Sequence, residues 1–104
     1  MKIIPLILLL LFTPFVYSKN IVSKVKYVGC HIDTNTCFVY IESEITTSCT
    51  ANDKSLRWNG ESNTNGKSAL SILLSAQVSG KPITFSVKGC YDNYPSFNWL
   101  AIGD

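Results

Sequence analysis

Four cysteines are the residues with the clearest chemistry in this 104-residue sequence: Cys30, Cys37, Cys49 and Cys90. An even number of cysteines behind an export signal is typical of a disulfide framework. The competing interpretation is a zinc site, which usually needs cysteine pairs only about two to four residues apart, and no such pair occurs here. We therefore predict two disulfides, no metal site and no cofactor.

Side chains that could catalyse a reaction are few. His31 is the only histidine, and its place in a polar turn beside a cysteine favours a structural role over that of a general base. Glu42 and Glu44 fall on one face of a predicted strand, where solvated surface carboxylates are the simpler interpretation. None of the serines lies in a nucleophile-elbow pattern. The sequence therefore predicts a binding protein and not an enzyme.

Aromatic residues offer a second kind of chemistry, because sugar rings stack on their faces and neighbouring amides can bind hydroxyl groups. The amides of Asn59 and Asn98 are candidates, while Phe97 and one of Trp58 and Trp99 are expected in the core, since large aromatics dominate small cores. The preferred ligand contact is the turn that follows Cys90, which consists of Tyr91, Asp92, Asn93 and Tyr94.

The amino-terminal segment has the pattern of a signal peptide. Lys2 precedes an apolar run over residues 3–12, which is too short to span a bilayer, and a cleavage site is predicted after Ser18. We expect residues 1–18 to be removed and residues 19–104 to form one small domain without a membrane span. The protein would be secreted, or periplasmic if retained.

The size and charge of this domain limit what it can do. A domain this small often needs covalent cross-links to fold stably, which agrees with the predicted disulfides. The formal net charge of the whole chain is only +2, and the cations are scattered along it. Nucleic-acid binding is therefore not expected, because it requires a strongly basic face.

Alternating apolar and polar residues predict five strands and one helix. The strands cover residues 21–29, 37–45, 55–59, 83–89 and 97–102, and the helix covers residues 67–79, with Gly80 and Pro82 at its end. This order, with one helix between strands three and four, is that of a mainly β, five-stranded OB-fold barrel. In such a barrel the first strand pairs with the second and the fourth, which favours Cys30–Cys37 and Cys49–Cys90 among the three connectivities that four cysteines allow.

The predicted helix is unusual because most of its surface is apolar. Its polar stripe is narrow and uncharged, and it consists of Ser68, Ser71, Ser75 and Ser79. A one-sided surface helix needs an apolar arc of only about 100°, so something besides the barrel should cover part of the rest. Either neighbouring copies pack against the helix in a ring, with Ser68, Ser71 and Ser75 facing the oligomer, or the loops at 46–54 and 60–66 fold over it.

Several motifs between Cys37 and Phe97 occur in an order that points to a family. They are Ile41-Glu42, Cys49 followed by a polar stretch and Trp58, Ala69-Leu70, Ser79-Gly80-Lys81-Pro82-Ile83, and Tyr94-Pro95-Ser96-Phe97. In this order and spacing they resemble the binding subunits of bacterial AB5 toxins, in particular the subtilase-cytotoxin and typhoid-toxin branch. The resemblance implies an OB-fold pentamer that binds cell-surface glycans and carries a separate toxic A subunit.

The resemblance also implies ligand contacts, and the chain departs from the family at one of them. The family binds sialic acid with a serine near the first strand, for which Ser23 is the nearest match, and with a tyrosine on the fourth strand. Val87 stands near the place of that tyrosine, so sialic acid specificity does not carry over. We expect a secreted, ring-forming, glycan-binding subunit. The alternative is a monomeric secreted or periplasmic OB-fold inhibitor or adaptor that binds one protein through the Tyr91 turn.

Overall fold

The alternation of apolar residues produces strands that assemble into two separate sheets. The computed structural model describes residues 19–103, so the predicted signal peptide over 1–18 and Asp104 lie outside the described residues. The strands are β1 (Lys19–Ser23), β2 (Val25–Cys30), β3 (Thr36–Ile41), β4 (Ser55–Asn59), β5 (Ile83–Tyr91) and β6 (Tyr94–Ile102), with helix α1 (Gly66–Ser79) between β4 and β5.

Each sheet has three antiparallel strands. The first sheet has the order β1-β5-β6, and the second sheet has the order β2-β3-β4. The chain is mainly β with one helix, as the pattern of turns and periodicity predicted, but the helix follows the fourth strand and not the third, because the predicted first strand is two strands. Helix α1 ends at Gly80, whose positive φ of 75° allows its N–H to bond the carbonyl oxygen of Ala76.

The prediction of a closed five-stranded barrel is wrong, because the described chain has six strands in two open sheets. Strands β4 and β6 approach each other without forming a ladder. Side chains fill the space between them: the rings of Trp58 and Phe97 are 5.3 Å apart, and Arg57 lies 3.8 Å from the ring of Tyr94. Side-chain contacts, and not backbone hydrogen bonds, therefore join the two sheets at this seam.

The predicted first strand is two strands, because the chain breaks its pairing at Ser23 and Lys24. The Ser23 hydroxyl accepts hydrogen bonds from the backbone N–H groups of Glu42 (3.0 Å) and Ser43 (3.1 Å) and donates to the carbonyl oxygen of Lys24 (2.9 Å). These side-chain bonds replace ladder bonds at this point, so β1 joins the first sheet and β2 joins the second.

The core lies between the two sheets and α1. It contains the inward residues of β3, β4 and β5 together with one side of α1, with Val39, Ile41, Leu56, Leu73, Ile83 and Phe85 all fully buried. Ile45 is also buried, which confirms the predicted core face of the β3 segment. Trp58 is 6% exposed and donates from its indole nitrogen to the carbonyl oxygen of Gly66, so it is the tryptophan expected in the core.

Both disulfides have the predicted pairing. Cys30–Cys37 joins the ends of the β2–β3 hairpin with a Cα–Cα distance of 3.9 Å, and Cys49–Cys90 joins the loop after β3 to β5 with a Cα–Cα distance of 5.9 Å. The second bond closes a segment of 41 residues, which removes more conformational freedom from the unfolded chain than the first does.

Candidate functional site

The outer surface of the first sheet is determined by the alternation in β5. Ile83, Phe85 and Val87 are buried, so Thr84 and Ser86 between them point away from the core. Residues that pair directly across an antiparallel sheet lie on the same side of it. The outward residues of this sheet, here called the Trp99 face, are Asn20, Val22, Thr84, Ser86, Trp99 and Ala101.

A break in the β5–β6 register turns Trp99 outward. Phe97 pairs with Val87, and Trp99 pairs with the adjacent residue Ser86, so Asn98 is an extra residue in β6. This bulge allows Phe97 and Trp99, which regular alternation would place on one face, to point in opposite directions. Phe97 packs at the core against Trp58 and Phe85, at ring distances of 5.3 and 5.6 Å.

The Trp99 face is open and uncharged. Trp99 is 53% exposed and Val22 is 60% exposed, and no ring of the described chain packs on Trp99. Ser86 pairs directly with Trp99 from the adjacent strand β5, and Thr84 lies two residues along the same strand. Asn20 pairs with Ser86 from the far side, on β1. An exposed aromatic face beside short polar groups can stack on an apolar ring surface and bind hydroxyl groups around it.

The outer surface of the second sheet has a different arrangement, here called the Arg57 cluster: Phe38, Tyr40, Asp53, Arg57 and Tyr94. Arg57 is only 8% exposed, and its guanidinium carbon lies 5.3, 5.8 and 3.8 Å from the ring centres of Phe38, Tyr40 and Tyr94. Arg57 also donates to the Tyr40 hydroxyl at 3.1 Å and lies 3.6 Å from a carboxylate oxygen of Asp53. The charge of Arg57 and the three rings of the cluster therefore interact with one another.

The titratable groups of the Arg57 cluster are shifted by their contacts. Burial of the phenol and its hydrogen bond to Asp53 raise the pKa of Tyr40. Burial alone would raise the pKa of the Asp53 carboxyl, but hydrogen bonds from Ser55 and Tyr40 and the nearby Arg57 charge lower it overall. Both shifts favour a neutral Tyr40 that donates to a charged Asp53.

The turn predicted as the ligand contact is a two-residue hairpin between β5 and β6. Asp92 and Asn93 have positive φ angles of 52° and 74°, as the tightest β-hairpin turns require. Their side chains are exposed, whereas Tyr91 is half-buried and the ring of Tyr94 is covered by Arg57. The backbone oxygen of Asn93 accepts from the N–H of Ala51 at 2.9 Å. The turn is therefore anchored, with two polar side chains facing solvent.

The other predicted contact residues lie apart from this turn. Ser23 is 6% exposed, and its hydroxyl accepts a backbone hydrogen bond at the junction between the sheets, so it does not face solvent. Ser68, Ser71 and Ser75, predicted to face an oligomer, are exposed on α1 in the single chain. Leu74 and Val78 lie on the same outer side of the helix and are 45% and 84% exposed.

The residues considered for catalysis have no catalytic arrangement. His31 makes an edge contact with Phe38 at 5.5 Å, and Glu44 pairs with Lys54 at 3.1 Å on the surface. Over residues 19–103 no group of three side chains could hold a metal ion. In the same range no helix is long and apolar enough to cross a membrane.

One groove on the described part of the chain, of about 680 Å³, lies between the start of α1 and β6, and Trp58, Asn65, Ser68, Phe97 and Trp99 are among its walls. Another, of about 500 Å³, lies beside the Cys49–Cys90 disulfide and includes Lys19, Thr47 and Lys88.

Sequence reasoning missed two features of these surfaces. One is the burial of Arg57, and the other is the position of Thr84 and Ser86 on the same face as Trp99. The alternation of Ile83, Phe85 and Val87 was a signal that could have found the two outward polar residues, whereas the burial of Arg57 depends on rings brought in from β3 and β6.

Comparisons with known proteins give no relative for this chain. No protein-family model matches it, and neither a curated protein sequence nor a solved structure matches it. The resemblance to AB5 toxin binding subunits therefore stays a prediction.

Proposed function

We propose that this chain is a secreted, non-catalytic domain that binds glycans through the Trp99 face. The observation that carries the proposal is a half-exposed tryptophan on an uncharged sheet surface, with hydroxyl groups on the adjacent strand β5 and an amide on β1 beyond it. A pyranose ring has one apolar face and a rim of hydroxyl groups, so it can use both parts of this surface at once.

The character of the surface supports a neutral or weakly charged sugar over other ligands. A nucleic acid would need cations to neutralise phosphates, and the six residues of the Trp99 face include none. Two disulfides support an oxidising, extracellular or periplasmic location.

The outer side of α1 supports self-association as part of this function. Ser71, Leu74, Ser75 and Val78 form an uncharged strip on that side, and Val78 is almost fully exposed. An exposed apolar strip without charge is typical of a contact with another protein surface. We propose a homo-oligomer that multiplies weak glycan contacts. A ring of five copies and a toxic A subunit are what the family resemblance adds to this proposal.

Glycan binding can be tested with a matched pair of aromatic variants. Oxidised protein covering residues 19–104 would be applied to a glycan array, together with Trp99→Ala and Tyr27→Ala. Tyr27 is 52% exposed but stacks on Tyr40 in the second sheet, so it controls for the loss of an exposed ring. We expect the wild type and Tyr27→Ala to bind the same glycans, and Trp99→Ala to bind them at least about tenfold more weakly.

Two results would contradict the proposal: no retention of the wild type on any glycan, or an equal loss in both variants. Circular dichroism and thermal melting of the variants would show that each is folded. A monomer that binds no glycan but captures one protein through Asp92 and Asn93 would favour the inhibitor or adaptor alternative, since that anchored turn has two exposed side chains.

A further inference from the structure

The groove between β6 and the start of α1, here called the β6 groove, begins where the Trp99 face ends. Among the described residues β6 is an edge strand, with a hydrogen-bonded neighbour on one side only. Phe97, Asn98, Trp99 and Leu100 all line the groove. Because Phe97 points to the core side of the sheet and Trp99 to its outer side, a groove that both residues line runs beside the edge of the strand. Trp99 therefore belongs to both surfaces.

The opposite wall of the β6 groove consists of short polar side chains. They come from the end of β4, the loop after it and the first turn of α1, and they are Asn59, Ser62, Thr64, Asn65 and Ser68. None of the residues that line the groove is charged. Its volume of about 680 Å³ lies within the range of about 300–1,000 Å³ that is typical of ligand sites. The groove thus combines aromatic rings with amide and hydroxyl groups, as the Trp99 face does.

Two amides in the walls of the β6 groove have no bond to their own chain. Asn65 directly precedes α1, where an asparagine side chain commonly accepts a hydrogen bond from a helix N–H, yet it makes no such bond. Within residues 19–103 the side chain of Asn98 has no hydrogen-bond partner either. Both side chains are exposed. A primary amide donates two hydrogen bonds and accepts through its oxygen, so each can bind neighbouring hydroxyl groups of a sugar.

The two surfaces differ in how much of a ligand they can cover. The Trp99 face is open and contacts one side of a sugar ring, whereas ligand sites typically bury about 70–90% of the ligand surface. The β6 groove has walls on two sides, from β6 and from the segment that leads into α1. A sugar unit in the groove would therefore lose more contact with water than a unit on the face, and it should supply much of the affinity.

We propose that the glycan is a neutral oligosaccharide of at least two sugar units that crosses the edge of β6 at Trp99. One unit stacks on the Trp99 face, and the next lies in the β6 groove with its hydroxyl groups bound by Asn65 and Asn98. Uncharged units suit both surfaces, because neither has a charged residue. This inference rests on the proposed function and adds the length and charge of the ligand and a second subsite.

Asn65→Ala and Asn63→Ala form a matched pair for the test. Both asparagines are exposed in the segment between β4 and α1, but Asn65 lines the β6 groove and Asn63 does not. The Asn65 side chain makes no capping bond, so its removal should leave the fold and α1 intact, which thermal melting would verify. Trp99→Ala reports separately on the unit that stacks on the Trp99 face.

The probe is a glycan array that carries neutral glycans of one to four sugar units, each beside its sialylated form. We expect the wild type to retain neutral glycans of two or more units and to gain nothing from the added sialic acid. The strongest neutral glycan and its terminal monosaccharide would then be titrated in solution by calorimetry. We expect the oligosaccharide to bind at least about tenfold more tightly, and a monosaccharide too weak to titrate agrees with this.

The variants then assign the two units to the two surfaces. Asn65→Ala should weaken the binding of the oligosaccharide by about fivefold, the value of one hydrogen bond, and Asn63→Ala should leave it unchanged. Trp99→Ala should weaken the binding of every glycan that the wild type retains.

Failure of this inference is distinguishable from failure of glycan binding. If no glycan is retained, the proposed function itself is wrong. If retention requires Trp99 but the monosaccharide binds as tightly as the oligosaccharide, the Trp99 face stands and the second subsite does not. Oligosaccharide affinity that is equal in Asn65→Ala and Asn63→Ala would likewise overturn the assignment of the second unit to the β6 groove. A preference for the sialylated forms would overturn the neutral ligand.

Discussion

The outer faces of the two sheets both carry aromatic rings, yet they differ in what those rings contact. On the second sheet the rings of Phe38, Tyr40 and Tyr94 surround Arg57. On the first sheet Trp99 has no ring or cation of the described chain against it. Aromatic content alone therefore does not distinguish a binding surface from a structural one, and the contacts of each ring do.

The difference follows from one buried cation. Arg57 needs partners because burying an unpaired charge is costly, and it obtains them from three rings, the Tyr40 hydroxyl and Asp53. The rings brought to Arg57 seal the seam between β4 and the start of β6. The Trp99 face has no charged residue, and its indole is half-exposed.

Among the substitutions that test this difference between the two faces, Arg57→Ala should have the largest effect. It would leave Asp53 without its cation and open a gap between three rings, so we expect a loss of about 3 kcal/mol in the free energy of unfolding. Urea denaturation of the oxidised protein would measure it. Lys54→Ala removes an exposed ion pair with Glu44 and should cost close to nothing. Equal stability of Arg57→Ala and wild type would show that the cluster is not structural.

Ser23→Ala addresses the junction that separates the two sheets. The partly buried N–H of Ser43 would lose its acceptor, while that of Glu42 keeps the carbonyl oxygen of Lys24 at 3.3 Å, so we expect a loss of about 1 kcal/mol in the free energy of unfolding. Sugar affinity per folded molecule should stay unchanged, because the Ser23 hydroxyl does not reach the Trp99 face. A loss of sugar binding at full stability would instead support the ligand contact that the family resemblance implies.

Ser86→Arg would place a guanidinium on the Trp99 face, as Arg57 does in the Arg57 cluster. Ser86 pairs directly with Trp99, so a guanidinium there can stack on the indole as Arg57 stacks on Tyr94. We expect glycan affinity to fall by about tenfold, measured by titration of a glycan that the array identifies. Ser86→Thr keeps the hydroxyl and is the control. Unchanged glycan binding by Ser86→Arg would show that the glycan does not bind at the Trp99 face.

Asp53→Asn should have the smallest effect, a modest loss of stability near neutral pH that disappears in acid. The pKa of the Asp53 carboxyl is lowered from its ordinary value of 3.8 in the folded protein. Its contribution to stability is therefore present above pH 3.8 and is lost as the pH falls through the folded-state pKa. Thermal melting over an acidic pH series should show a shallower fall for Asp53→Asn than for wild type. Parallel curves for the two proteins would contradict the role given to this carboxylate.

The sequence predicted much of the local structure because its signals are local. Alternation identified the buried residues Val39, Ile41 and Ile45, and Gly80 with Pro82 marked the end of the helix. The cysteine count and the strand order were enough to predict both disulfides. The sequence also indicated a stripe of serines along α1, and these serines are exposed in the single chain.

Only the tertiary structure decided which aromatic rings are exposed to solvent. Regular alternation places Phe97 and Trp99 on one face, and the bulge at Asn98 separates them because Phe97 has to reach Trp58 and Phe85 in the core. Likewise, the break at Ser23 depends on backbone groups about twenty residues away along the chain. Strand periodicity is a property of neighbouring residues, whereas register, bulges and buried charges are settled by partners that the chain brings together only on folding.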